Sequence, residues 1–342
     1  MNLLPSQDQL ELVAAAGDFV SARDPIAQAR KRRNEATAVD LDVWCEGAEM
    51  GLLSLGLDER FGGSGQPIDD EVLLVAELAR HLAVGPLLSS ILGARVAAEA
   101  GDQALAGQIS SGSALVGVAE LRGEGTVTAD SVTGSFDLID CVECSHALVV
   151  TRTGAGLVRI ADFGDVTPVE SVDPATRLGR ARVDAAPVAV WVSSDVDWIW
   201  ARAQILNSAF LFGLAEAIAD LCTEHAKTRI QFGRPIGVHQ AIKHAVVDMA
   251  VHAESASAQT LFAATAFASH RSDVEFQILA ARAVAGQAAM SNGSASIQVH
   301  GGMGYTYEHN AHYFLKRAIV HTHLFADSSE VLADLLSMEA AQ

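Results

Sequence analysis

The stretch Arg229-Ile-Gln-Phe-Gly-Arg-Pro-Ile-Gly-Val-His-Gln240 decides the fold of this chain. A largely apolar helical run enters it, and a second long apolar run starts at Gln240. Gly233, Pro235 and Gly237 break the helix between them. Arg229 and Gln240 are left at the two edges of the turn, where a planar guanidinium and an amide can grip a phosphate or a sugar. Phe232 can lie against a ring. On residue types alone, a helix–helix connection with solvated polar side chains also accounts for every Gly and Pro in the stretch.

A second glycine-rich turn, Gln298-Val-His-Gly-Gly-Met-Gly-Tyr305, also follows a long apolar helix. Together the two turns resemble the C-terminal domain of the acyl-CoA dehydrogenases, flavoenzymes that desaturate acyl-CoA thioesters. The family pattern is Arg-x-x-Phe-Gly-x-x-Ile/Leu with a Gln eleven residues after the Arg, then Gln-x-x-Gly-Gly-x-Gly-Tyr/Phe. Here those positions are Arg229, Phe232, Gly233, Ile236 and Gln240, then Gln298, Gly301, Gly302, Gly304 and Tyr305.

Working outward, the 342 residues suffice for two or three domains. Half of them are hydrophobic, yet no uninterrupted apolar run approaches the roughly 18 residues of a membrane span. Such composition fits large subunit interfaces, so an oligomer is expected. The N-terminus, Met-Asn-Leu-Leu-Pro-Ser-Gln-Asp, lacks a basic region followed by an apolar stretch, so the reading is cytoplasmic, with no secretion signal. A net charge of −19 argues against nucleic-acid binding, and the basic cluster Arg30-Lys-Arg-Arg33 reads as a solvated helix end. Four cysteines make no disulfide framework, and the lone Cys141-x-x-Cys144 lacks the second pair that a zinc site requires.

In chain order, Ser6-Gln-Asp-Gln9 predicts a capping box opening a helix over 6–22. Further helices are expected at 41–55, 69–82, 87–100 and 102–110, with the glycine-rich loop Asp58–Gly65 between the first two of these. That loop lacks G-x-G-x-x-G spacing and instead resembles a loop of acyl-CoA dehydrogenase N-terminal domains. Short β-branched runs at 115–119, 126–130, 146–151, 157–160 and 188–192 mark strands. Helices are expected again at 202–228, 239–270 and 273–299, the first apolar nearly all round and therefore buried on most faces. The fold class is α+β, mostly α: an N-terminal helical domain (1–112), a small middle β-domain (113–195) and a C-terminal four-helix bundle for oligomerisation (196–342). This α, β, α order is the family's.

The reaction implied by the resemblance removes a proton α to a thioester carbonyl and passes a hydride to the flavin, so it needs a carboxylate base. In most of the family the base lies 27 residues after the Gln of the second turn, a position held here by Phe325. A minority place it 26 residues before the Arg, where this chain has Ala203. Asp327 lies two residues from the first position, and Glu308 and Glu330 are farther. The family's Thr-Glu-Pro-x-Ala-Gly-Ser-Asp and Trp-Ile-Thr/Ser motifs, which hold the flavin ring or the thioester, are replaced by Ala119-Glu-Leu-Arg-Gly-Glu-Gly125 and Phe136-Asp-Leu-Ile-Asp-Cys-Val-Glu143. His300, His309, His312, His321 and His323 crowd the C-terminal end without a convincing metal-ligand spacing.

In the family, the retained residues contact the ADP half of an FAD whose ring sits in a neighbouring subunit. The pattern resembles the short, base-lacking subunit of the heteromeric α2β2 acyl-CoA dehydrogenases of actinobacterial steroid catabolism. The resemblance implies FAD contacts from Arg229, Phe232, Gln240, Gln298, Gly301 and Gly302. It also implies a longer catalytic partner, an acyl-CoA or steroid-CoA substrate and an electron-transfer flavoprotein-like acceptor. Two other readings remain: a homomeric dehydrogenase with a displaced base, and a flavin-free scaffold.

Overall fold

A computed structural model describes residues 4–338. Met1–Leu3, part of the N-terminal stretch read above for a secretion signal, lie outside them. The chain divides into two units that interleave along the sequence. One takes the N-terminal segment up to Ile26, Val72–Ala83 and the chain from Gln204 onward; the other takes Ala27–Glu71 and Val84–Ala203.

The first unit is helical. Helix α1 (Gln7–Ser21) opens with the expected capping box, Ser6 Oγ accepting from the Gln9 N–H while the Gln9 side chain accepts from the Ser6 N–H. The end of α4 (Ile68–Arg80) joins it, followed by the long helices α7 (Ile199–Thr228), α8 (Gln240–Ala268) and α9 (Val274–His300), and by α10 (Ala311–His323) and α11 (Ser328–Ser337). Residues 201–215 of α7 are buried without a break, as its all-round apolarity predicts. Among the described helices, α7 is long and apolar enough to cross a membrane, but 83% of that apolar window is buried inside the fold, the mark of a core helix. Asn292 of α9 binds α7 to α8, its Nδ2 donating to the Ala215 carbonyl (3.1 Å) and the Met249 carbonyl (2.9 Å).

The second unit combines α2 (Pro25–Lys31, from Ala27), α3 (Leu41–Glu49), α5 (Leu87–Glu99) and α6 (Gln103–Ser110) with a seven-stranded mixed sheet. Helix α2 ends in Arg30 and Lys31, as the basic cluster suggests. Helix α3 is capped by Asp40 but stops at Glu49, short of the expected residue 55. Leu52, Leu53 and Leu57 stay buried in the turns that follow, so the apolar period there reports burial rather than helix.

The strands are β1 (Val116–Val127), β2 (Ser131–Ile139), β3 (His146–Thr151), β4 (Gly154–Arg159), β5 (Thr167–Val169), β6 (Leu178–Pro187) and β7 (Val190–Ser193), in the order β5-β6-β2-β1-β3-β4-β7. Only the β1–β3 pair is parallel. Where two short strands were expected at 115–119 and 126–130, the single strand β1 runs from the first to Val127 in the second, residues 128–130 form the turn into β2, and β1 pairs with β2 along most of its length with an irregularity between Arg122 and Gly125. The polar run Glu120-Leu-Arg-Gly-Glu-Gly125 hid this strand because its outer half is exposed. Phe136 and Phe163 meet edge to face at 5.7 Å in the sheet's core.

Candidate functional site

At the end of α7 the Arg229 N–H donates to the His225 carbonyl, and the chain then forms a small hairpin instead of a plain connection. Strands β8 (Ile230–Gln231) and β9 (Arg234–Pro235) pair across Phe232 and Gly233, whose φ values are 51° and 80°. Two consecutive positive φ values are the signature of a tight hairpin turn that normally takes Asn-Gly or Gly-Gly. Phenylalanine there costs about 1–3 kcal/mol of backbone strain. Its ring is 92% exposed, so packing within this chain returns nothing for that cost. The Arg229 guanidinium and the Gln240 amide are also exposed, with no hydrogen-bond or ion-pair partner among the described residues.

The second turn follows α9. Gly301 has φ 61° and ψ −142°, a conformation that residues with a Cβ avoid, and its N–H donates to the Gln298 carbonyl. A Cβ built on Gly301 or Gly302 would meet nothing within 4 Å. Gln298, Met303 and Tyr305 are exposed around this open backbone.

The structure links the two turns through imidazole rings. His225 lies one helical turn before Arg229, His300 is the last residue of α9, and their ring centroids are 4.3 Å apart. His309 packs against His300 with ring centroids 4.4 Å apart and the planes tilted by 51°. Sequence reasoning missed His225, although its i, i+4 spacing from Arg229 puts the two on one helix face. Burial and the positive neighbours His300, His309 and Arg229 push His225 below the ordinary histidine pKa; burial does the same to His300. The other C-terminal histidines have separate roles. His312 packs on Tyr313, His321 stacks on Phe210 at 3.8 Å, and His323 pairs with Asp327 at 2.6 Å. Among the described residues no group of three His, Cys, Asp or Glu side chains is arranged to hold a metal.

The loop from His321 to Asp327 is built in the opposite manner. Arg282 is 1% exposed, and its Nη2 donates to the carbonyls of His321 (2.7 Å), Leu324 (3.2 Å) and Ala326 (3.4 Å). Asn207 Nδ2 donates to His321 (3.0 Å) and Leu324 (2.9 Å), and Gln204 Nε2 donates to Phe325 (2.9 Å). Phe325 itself is buried at φ 63°. His321 Nδ1–H donates to Asn207 Oδ1 (2.8 Å), and burial beside Arg317 and Arg282 keeps its ring neutral. Asp327 caps α11: its carboxylate accepts from the Ser329 N–H (2.8 Å) and hydroxyl (2.7 Å) and pairs with His323. These contacts hold its pKa down to about 2. The Glu330 side chain accepts from the Asp327 N–H, closing the capping box.

Residues 200–340 match the C-terminal domain of the acyl-CoA dehydrogenases, and residues 6–109 match their N-terminal domain. The acyl-CoA dehydrogenase IpdE2 of Mycobacterium tuberculosis is 30% identical over 98% of both chains. This chain belongs to the acyl-CoA dehydrogenase family. Its fold is that of a chain in the ChsE4-ChsE5 complex from Mycobacterium tuberculosis (TM-score 0.85, 23% identity, 99% of this chain and 100% of that one). It is equally similar to a chain of the Tcur3481-Tcur3483 steroid ACAD G363A variant (TM-score 0.83, 22% identity, 96% of both).

Of the two positions counted above by resemblance, Phe325 is a buried apolar ring. At the other position Ala203 follows Arg202, whose guanidinium is paired with the buried Glu71 carboxylate. Glu71 is thereby committed to an ion pair. Cys141 and Cys144 donate their thiols to backbone carbonyls, Cys141 to Val118 and Ile139, Cys144 to Asp140. Burial pushes both thiols up, away from the reactive thiolate.

Proposed function

We propose that this chain is the non-catalytic, FAD-contributing subunit of a heteromeric acyl-CoA dehydrogenase that α,β-desaturates a CoA thioester. FAD, when bound, supplies the hydride acceptor of that reaction. Arg229 pairs with its diphosphate, Phe232 packs near the ADP moiety, and Gln240, Gln298, Gly301 and Gly302 complete the half-site. The residues present fit this group. The guanidinium and amide have no partner within the described chain, the phenylalanine is held strained and bare, and the backbone at Gly301 and Gly302 is open, with no atom within 4 Å of where a Cβ would stand.

The observation that carries the reading is the contrast between this open set and the closed His321–Asp327 loop, where Phe325 stands at the base position. A longer partner subunit then supplies the flavin-ring pocket and the glutamate in an α2β2 assembly. The steroid named for one fold relative and the two-component complexes of both favour a steroid side-chain CoA as substrate. An electron-transfer flavoprotein-like acceptor and a cytoplasmic location complete the proposal, with domains at 1–112, 113–195 and 196–342.

A homomeric enzyme with Asp327 as displaced base is disfavoured, since that carboxylate is tied up in capping α11 and in its pair with His323. The test is flavin absorbance and subunit stoichiometry of the chain alone and co-expressed with a longer dehydrogenase. Weak flavin binding alone, with two FADs and activity in a 2:2 complex, is expected. A yellow, active homotetramer would refute it.

A further inference from the structure

The histidine stack is not needed to shape the turns, because the hairpin and the Gly301 turn are closed by backbone hydrogen bonds. It nevertheless brings three imidazole rings into successive contact, with Arg229 acting on the first of them, His225. His300 Nδ1–H donates to the Ser296 carbonyl (2.8 Å), with the Ser296 hydroxyl at 3.4 Å. His309 Nδ1 accepts from the Ala311 N–H (3.1 Å). Neither ring nitrogen of His225 hydrogen-bonds to a described residue. The charged groups acting on His225 are Arg229 from its own helix, His300 from α9 and His309 from the segment after the second turn, all basic. Nearby in sequence, Glu224 is paired with Lys227 (2.7 Å), and Glu308, beside His309, is exposed.

We propose that the His225–His300–His309 stack is a proton-linked part of the anion site, which takes up one proton from solvent when a diphosphate binds at Arg229. The inference rests on the half-site assignment made above. Partial burial, with Arg229 acting on His225, favours the neutral forms of His225 and His300, whereas two phosphate charges close by reverse the sign of the local field. A ligand that favours the protonated stack is itself bound more tightly when the stack is protonated. The stack thereby gives the ADP moiety a pH-dependent hold that Arg229, always charged, cannot supply.

The probe is ADP-ribose, whose diphosphate is esterified at both ends and keeps its charge through neutrality. Binding to the full chain is followed by NMR on 13C-labelled histidine at about pH 6 and about pH 8. We expect affinity about tenfold tighter at the lower pH, the limit approached for one proton linked across part of this range. The stack's resonances should titrate at higher pH with ADP-ribose present than without it. His225→Gln should shrink the tenfold ratio to about twofold or less. Arg229-dependent binding of equal affinity at both pH values, with unmoved histidine titrations, overturns this inference and leaves the half-site standing. Absence of any Arg229-dependent binding, both by the chain alone and in the co-expressed complex, overturns both.

Discussion

At the Arg229–Gln240 turn a guanidinium, an amide and an aromatic ring face outward without partners, whereas at the His321–Asp327 loop Arg282, Asn207 and Gln204 direct buried donors onto backbone carbonyls. Both regions belong to the same helical unit. Buried polar groups are retained when they find partners, and here Arg282, Asn207 and Gln204 each place a donor on a carbonyl, while Gln204 Oε1 has no hydrogen-bond partner among the described residues. Exposed groups held in a strained turn have no such internal reason, which is what the proposed half-site would account for. In the His321–Asp327 loop the polar side chains serve the backbone.

The comparison can be broken by substitution. Arg282→Ala removes a donor from three carbonyls, those of His321 and Leu324 buried and that of Ala326 part-buried, and should lower stability by about 3 kcal/mol, read from the urea midpoint at constant m. A small loss would mean that the loop is not locked as described. Arg229→Ala should leave stability within about 0.5 kcal/mol, while FAD retention in the complex falls tenfold or more. Unchanged FAD occupancy would remove the main support for the half-site.

Asp327→Ala should cost about 1 kcal/mol near neutral pH through the lost cap. The Asp327 pKa is depressed on folding, so its contribution is present above the unfolded carboxylate pKa and fades as pH falls towards about 2. Wild type and variant should therefore converge in acid denaturation experiments; a gap that persists at low pH would assign the effect to something other than this carboxylate. Phe232→Asn supplies a residue suited to the positive φ and should raise stability by about 0.5 kcal/mol while weakening FAD retention. Destabilisation would show that the ring contributes to the fold of the chain alone.

Much of this was legible from local pattern. The capping box at Ser6, the long helices, the strand at 146–151 and the two glycine turns follow from periodicity and turn chemistry within a few residues. Strand β6 and the outer part of β1 were not, because they carry exposed polar residues and are held by pairing with β2. The base positions could be counted along the chain by resemblance, but counting could not tell that the nearby Asp327 carboxylate caps α11.

The residues between Arg229 and Tyr305, read alone, carry the family and the glycine turns, since these depend on which side chains follow one another. Folding settled the rest: that Phe232 is bare and strained, that His225 joins His300, and that Asn207 reaches a carbonyl 114 residues away. Such contacts are made between distant parts of the chain, and a donor's partner across that distance is chosen by packing, which no local periodicity records.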